Sequence, residues 1–175
     1  MATNNTGANC FYSETFISFQ FGYLYIRFMI SIIIPTLNEE KTLEKAIKRL
    51  REYRGDFEIV VSDGKSTDQT IEIAKKYADK VIVYDGQTRQ TIGMGRNLGA
   101  SVASGDYYVF LDTDIGILDP NQFFEQTLSI FQAKPKLVGL TVYIKVFPEV
   151  ATISDRIVFW ILNRVIFIQN NILHR

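Results

Sequence analysis

The run Ile30-Ser31-Ile32-Ile33-Ile34-Pro35 constrains the fold more than any other stretch of the chain. With β-branched residues at nearly every position it has no polar face to offer water, so it reads as a strand buried on both sides. Strands of that kind belong to parallel sheets, which need long crossovers between neighbours and a covering layer on each face. The sequence supplies both. Leu43, Ala46, Ile47 and Leu50 make one apolar stripe at helical spacing, stopped by Gly55. Phe57 to Val61 is a second strand. Ser66-Thr67-Asp68-Gln69 has the form of a capping box and opens a helix with Ile71, Ala74 and Ala78 on one side. Val81 to Tyr84 is a third strand, and Thr91 to Ser104 a helix closed by Gly105 as a left-handed cap. Tyr107 to Leu111 is a fourth strand. Asp119-Pro120 starts another helix, and Leu137 to Val146 offers a fifth strand. This alternation predicts an α/β fold, an open, mostly parallel, Rossmann-like sheet with helices on both faces.

Composition narrows the chemistry by exclusion. The 175 residues suffice for one domain with a proper core. Formal net charge is zero and no dense Lys/Arg cluster occurs, so a nucleic-acid partner is not expected. Cys10 is the single cysteine and His174 the single histidine, which argues against a disulfide framework, a thiolate zinc site or a Ser-His-Asp relay. Residues 1–28 differ from the rest, polar at first and then aromatic-rich. They read as an N-terminal extension, poorly ordered or membrane-associating, ahead of a domain spanning 29–148.

In such a sheet, ligands bind at the carboxyl ends of the strands. The first strand delivers Pro35-Thr36-Leu37-Asn38-Glu39-Glu40 to that rim, the second Asp63-Gly64-Lys65, and the fourth Asp112-Thr113-Asp114. Two carboxylates one residue apart repel unless a cation or proton lies between them. Oxygen ligands of this type suit Mg²⁺ or Mn²⁺, and Mg²⁺ usually shares its shell with substrate phosphates. Asp63 can accept from a base or ribose hydroxyl, while Gly64 lets the backbone turn tightly. A dinucleotide fingerprint is rejected, because Gly93, Gly95 and Gly99 have the wrong spacing and no preceding strand.

Four stretches together resemble the family-2 glycosyltransferases of the GT-A fold. They are Ser31 to Glu40, Asp63 to Thr70, Gly95-Arg96-Asn97-Leu98-Gly99, and Gly105 to Asp114. The resemblance covers roughly Met29 to Leu118. It implies a UDP- or GDP-linked sugar donor, a divalent metal, and inverting transfer to an acceptor, with a lipid phosphate or a glycan as candidates. Carried over by position, Pro35, Thr36, Leu37 and Glu39 would lie against the nucleoside, and Asp63 with Gly64 at the base or ribose. Arg96 would face the nucleotide pocket or diphosphate. Asp112 and Thr113 would flank the ribose, with Asp112 and Asp114 on the metal.

The chain also departs from that pattern. Leu37 stands where many members carry an aromatic, and Ser62-Asp63 replaces two adjacent aspartates, so the residue that meets the base is Asp63 or its neighbour. Lys65 could reach a phosphate or stay solvated. No acidic pair follows Asp114: Asp119, Glu125, Glu149 and Asp155 stand alone, so the catalytic base has no candidate. The acceptor half is expected to be absent, which makes a nucleotide-sugar-binding fragment without turnover the first alternative. A nucleotidyltransferase is the second, though Pro35 to Lys41 lacks the glycines of its phosphate loop. Residues 149–175 form an apolar helix on which Arg156, Asn163 and Asn170 recur every seven positions. Through 157–168 it could lie in a membrane interface or pack on a longer parent. The expected location is cytoplasmic, at the membrane face if that helix inserts.

Overall fold

The computed structural model describes residues 28–142 and 152–172, and it divides into two compact units, 1–126 and 127–175. In the first unit a four-stranded parallel sheet is formed by β1 (Ile30–Thr36), β2 (Phe57–Asp63), β3 (Lys80–Val83) and β4 (Tyr107–Phe110), in the order β3-β2-β1-β4. Three helices connect them: α1 (Leu43–Leu50), α2 (Thr70–Tyr77) and α3 (Ile92–Val102). A fourth, α4 (Pro120–Ala133), runs across the boundary between the units, and α5 (Ile153–Ile172) belongs to the second.

The connections β1-α1-β2-α2-β3 step in one direction, and α1 and α2 lie side by side on one face. The chain then doubles back from β3 to β4 beyond β1, and right-handed crossovers put α3 on the opposite face. The expected α/β architecture is therefore present. The reversal makes the gap between β1 and β4 the topological switch point, where such sheets hold ligands.

Strand pairing decides which side chains share a face. Ile33 and Pro35 of β1 align with Val60 and Ser62 of β2, and Thr36 with Asp63. A methyl at Gly99 of α3 would lie 2.5 Å from Ile33 Cγ2 and 3.4 Å from Ser62 Cβ, so Ile33, Pro35, Val60 and Ser62 face α3. Thr36 and Asp63, one residue on, face α1 and α2. Ile32, Ile34, Ile59 and Val61 are fully buried under the stripe Leu43, Ile47 and Leu50 of α1. Pro35 lies within the first strand, which runs on to Thr36. The Ile33 carbonyl accepts from Leu111 N, so the imide nitrogen of Pro35, two residues on, also faces β4, whose pairing has already ended at Phe110.

Three local expectations are corrected. Ser66 does not cap α2. The helix begins at Thr70 with Gln69 in the cap position; Asp68, one residue earlier, accepts from Thr70 N at 3.0 Å, and the Ser66 amide and hydroxyl donate to Asp63. Helix α3 ends at Val102, and Gly105 is no left-handed cap. Gly105 passes so close to β1 that a methyl there would meet Ser31 N at 2.6 Å and Met29 O at 2.8 Å. The fifth strand is missing over 137–142, where the chain is irregular, and its remaining residues lie outside the described ones, as does the extension up to residue 27.

The end of the sheet away from the rim is tied by one buried carboxylate. Glu58, 5% exposed, accepts from Ser31 Oγ at 2.7 Å and Ser104 N at 2.5 Å, and pairs with Lys80 Nζ at 2.8 Å. Burial pushes the carboxyl up, but the bonds from Lys80, Ser31 and Ser104 outweigh it and hold its pKa below the usual range. A group depressed on folding stabilises the fold above its unfolded pKa and loses that contribution as pH falls through the folded one. Glu58→Gln should thus cost about 1.5–3 kcal/mol in urea unfolding at neutral pH. It should also flatten the acid limb of the stability curve.

Candidate functional site

The loops leaving β1, β2 and β4 emerge at one rim, and the first two are laced together. Gly64 N donates to Thr36 O at 2.8 Å. Asp63 Oδ2 accepts from Thr36 Oγ1 at 3.0 Å and Ser66 Oγ at 2.6 Å, while its Oδ1 accepts from Ser66 N at 2.7 Å. Asn38, in the left-handed region at φ 59°, gives its N–H to Ser66 Oγ and takes that of Thr67 on Oδ1. Glu39 N reaches Thr70 Oγ1 at 2.7 Å, and Glu40 N reaches Asp68 Oδ2 at 3.2 Å. Glu39 itself accepts from Thr42 Oγ1 at 2.7 Å. Asp63 is fully buried in this lattice. Its carboxylate joins the two loops from the α1/α2 side.

Lys65 has φ 69° and donates from Nζ to Gly86 O at 2.7 Å, so it fastens the second loop to the loop after β3. A methyl at Gly64 would come within 3.6 Å of Leu37 Cδ1, which places Leu37 at the same turn.

Charge gathers on the other face, at the switch point. Arg96, in the second turn of α3, directs Nη2 to Asp112 at 3.1 and 3.3 Å from the two carboxylate oxygens. The two side chains are 39% and 44% exposed, so the pair is reachable from solvent and worth little to stability. Arg96 Nε is buried without a hydrogen-bond partner among the described residues. Thr113 is buried, and Asp114 is exposed with no hydrogen bond or ion pair among the described residues. Of the residues read from the sequence, Pro35, Arg96 and Asp112 share the α3 side of the rim. Thr36 and Asp63 turn to the other.

Sequence reading passed over Gln90, at the end of the loop from β3 to α3. A methyl at Gly64 would lie 3.1 Å from Gln90 Oε1, one at Gly95 3.2 Å from it, and Gln90 Nε2 is buried without a partner among the described residues. No periodicity marks such a residue. Its place depends on two glycines from different elements meeting around it.

Among the described residues no three His, Cys, Asp or Glu side chains converge into a ready cage for a metal. Asp112 and Asp114 nonetheless fit a hard cation that brings its own phosphate and water ligands, since Mg²⁺ usually takes one or two carboxylates from the protein.

A family model described as Glycosyl transferase family 2 matches residues 31–173. Over 90 residues, 49% of this chain and 24% of the other, the sequence is 40% identical to a 4,4'-diaponeurosporenoate glycosyltransferase of Staphylococcus haemolyticus. It is 32% identical to a PGL/p-HBAD biosynthesis glycosyltransferase of Mycobacterium bovis over 61% of this chain and 43% of that one. The chain thus spans from about a quarter to under half the length of these curated relatives. Residues 1–349 of S. aureus TarS share the fold with a TM-score of 0.53 at 24% identity, over 74% of this chain and 44% of that one.

The burial of Asp63 yields a test of the loop lattice. Asp63→Asn should cost about 1.5–3 kcal/mol in chemical denaturation, because a charged acceptor of three hydrogen bonds becomes a neutral one. Amide exchange at Asn38 and Ser66 should accelerate alongside.

Proposed function

The chain belongs to glycosyl transferase family 2, and on that premise we propose that it is the donor-binding part of an inverting glycosyltransferase. It holds a UDP- or GDP-linked sugar with Mg²⁺ or Mn²⁺ at the rim between β1 and β4 and presents the sugar to an acceptor. The observation that carries the proposal is the Arg96–Asp112 pair at the switch point, beside an Asp114 that is exposed and unpaired among the described residues. Asp112 and Asp114 would hold the cation with phosphate oxygens and water. The cation supplies neutralisation of the charge that builds on the departing nucleoside diphosphate. Arg96 contributes from the protein side. Its guanidinium has more donors than Asp112 occupies, and it can share them with a phosphate while keeping the carboxylate aimed. The Asp63 lattice fixes the loops on which the nucleoside rests.

Binding without turnover is the second reading, and a specific observation favours it. Two of the isolated carboxylates after Asp114 are committed to structure. Asp119 accepts from Gln122 N at 3.0 Å at the start of α4, and Asp155 accepts from Thr152 N and Oγ1 at 2.9 and 2.6 Å. The Thr152 hydroxyl and amide also lower the pKa of Asp155, away from the range of a general base. Glu149 lies outside the described residues. The nucleotidyltransferase alternative draws no support from the family match.

Peripheral contact with the cytoplasmic face of a membrane, through α5, is proposed for the second unit, with a lipid phosphate or glycan as acceptor. Ile157, Val158, Trp160, Ile161, Leu162 and Val165 are all exposed on that helix, and Arg164 stacks 5.7 Å from the Trp160 ring. No described helix is long and apolar enough to cross a membrane.

Titration calorimetry with UDP and GDP checks the donor site. Binding should require Mn²⁺ or Mg²⁺, and Asp114→Ala should weaken it at least about tenfold. Equal binding with and without metal would reject the metal assignment. Nucleoside diphosphate release from donor sugars separates the first reading from the second, since tight binding without release supports the binding unit. Flotation with anionic vesicles should carry the chain, and Trp160→Glu should abolish it.

A further inference from the structure

The Gln90 side chain sits where three elements of the donor site converge. Its Oε1 lies over Gly64 of the second loop and Gly95 of α3, and the Gly95 position is itself 3.1 Å from Pro35 Cβ of β1. Any larger residue at Gly64 or Gly95 would press on the carboxamide. The amide nitrogen is the unusual part: Nε2 is buried, and no acceptor faces it among the described residues. Ser62 Oγ and Arg96 Nε, on the same face of the sheet, are buried and unpartnered in the same sense. Buried amide donors are normally paired, and an orphan one at a binding rim is what a site shows before its ligand supplies the acceptor.

We infer that Gln90 reads the nucleobase of the donor, its Nε2 donating to a carbonyl oxygen on the base. This rests on the donor-site reading above and specifies the nucleotide class, an oxopyrimidine or oxopurine such as uracil or guanine. Adenine, which has no carbonyl, is disfavoured. Charge placement separates base from phosphate. Arg96, Asp112 and Asp114 stand at the β4 side of the switch point, where a diphosphate and cation belong. The neutral carboxamide stands at the junction of β1, β2 and α3, among Pro35, Gly64 and Gly95. Phosphate recognition draws on cationic donors, whereas an amide held by glycines suits a neutral, planar edge. Leu37, at the same turn, offers an apolar surface beside it.

Gln90→Met keeps the length of the side chain and removes both polar atoms. Calorimetry with the full chain and Mn²⁺ should show UDP or GDP affinity falling about tenfold, the scale of one lost hydrogen bond. Affinity for ADP and for pyrophosphate should stay unchanged, so the preference of the unaltered protein for UDP or GDP over ADP disappears. Gly64→Ala leaves Gln90 in place but displaces its amide, and should produce a smaller loss confined to UDP and GDP. An equal loss for UDP, ADP and pyrophosphate, or no loss at all, overturns the role given to Gln90 and leaves the donor site standing. If the unaltered, folded protein binds no nucleoside diphosphate, the donor-site reading falls and this inference with it.

Discussion

The rim depends on the carboxylate of Asp63. Buried at the end of β2, it accepts from a hydroxyl of β1 and from both the amide and the hydroxyl of Ser66. A charge taken out of water is tolerable only when its lone pairs are satisfied, and here three donors do so. The same bonds hold two loops in fixed relation, one of them through a left-handed residue, Asn38, that needs outside support. Lys65, also left-handed, extends the lattice to the loop after β3 through the Gly86 carbonyl. Preorganisation of this kind lets a site bind without first ordering its loops.

Strand parity then divides labour across the sheet. Adjacent residues of β2 face opposite ways, so Ser62 looks toward α3 and Asp63 toward α1 and α2. The face with Asp63 is occupied by structural hydrogen bonds. The face with Pro35, Ser62, Arg96 and Asp112 keeps the donors that have no partner among the described residues, and the solvent-facing charge. One rim therefore carries a rigid side and a receptive side.

Much of this was readable from the residues. The run from Ile30 to Ile34 implied a strand covered on both faces, and the order of strands and helices implied the parallel sheet. The rim segments follow directly once the strands are placed. What stayed hidden depends on register, which pairing sets and local pattern does not. Asp63 and its neighbour looked interchangeable until Pro35 was aligned with Ser62. Ser66 looked like a helix cap, but the helix starts four residues later and the Ser66 hydroxyl accepts from the Asn38 amide and donates to Asp63, contacts that show themselves only in three dimensions. Gly105 looked like a helix terminator, but the backbone of β1 passing beside it is what excludes a side chain.

Helix α3 owes its placement to atoms it lacks. Gly95 and Gly99, four residues apart, form one smooth strip against Pro35, Ile33 and Ser62, and Arg96 rides on the adjoining strip. The thickness of that seam sets how far the guanidinium stands from the sheet. A single methyl group on the buried strip would lift the helix and carry the positive charge away from its carboxylate without touching either one. Electrostatics at the rim are in this sense a matter of upholstery: the charge is positioned by what was left out beneath it.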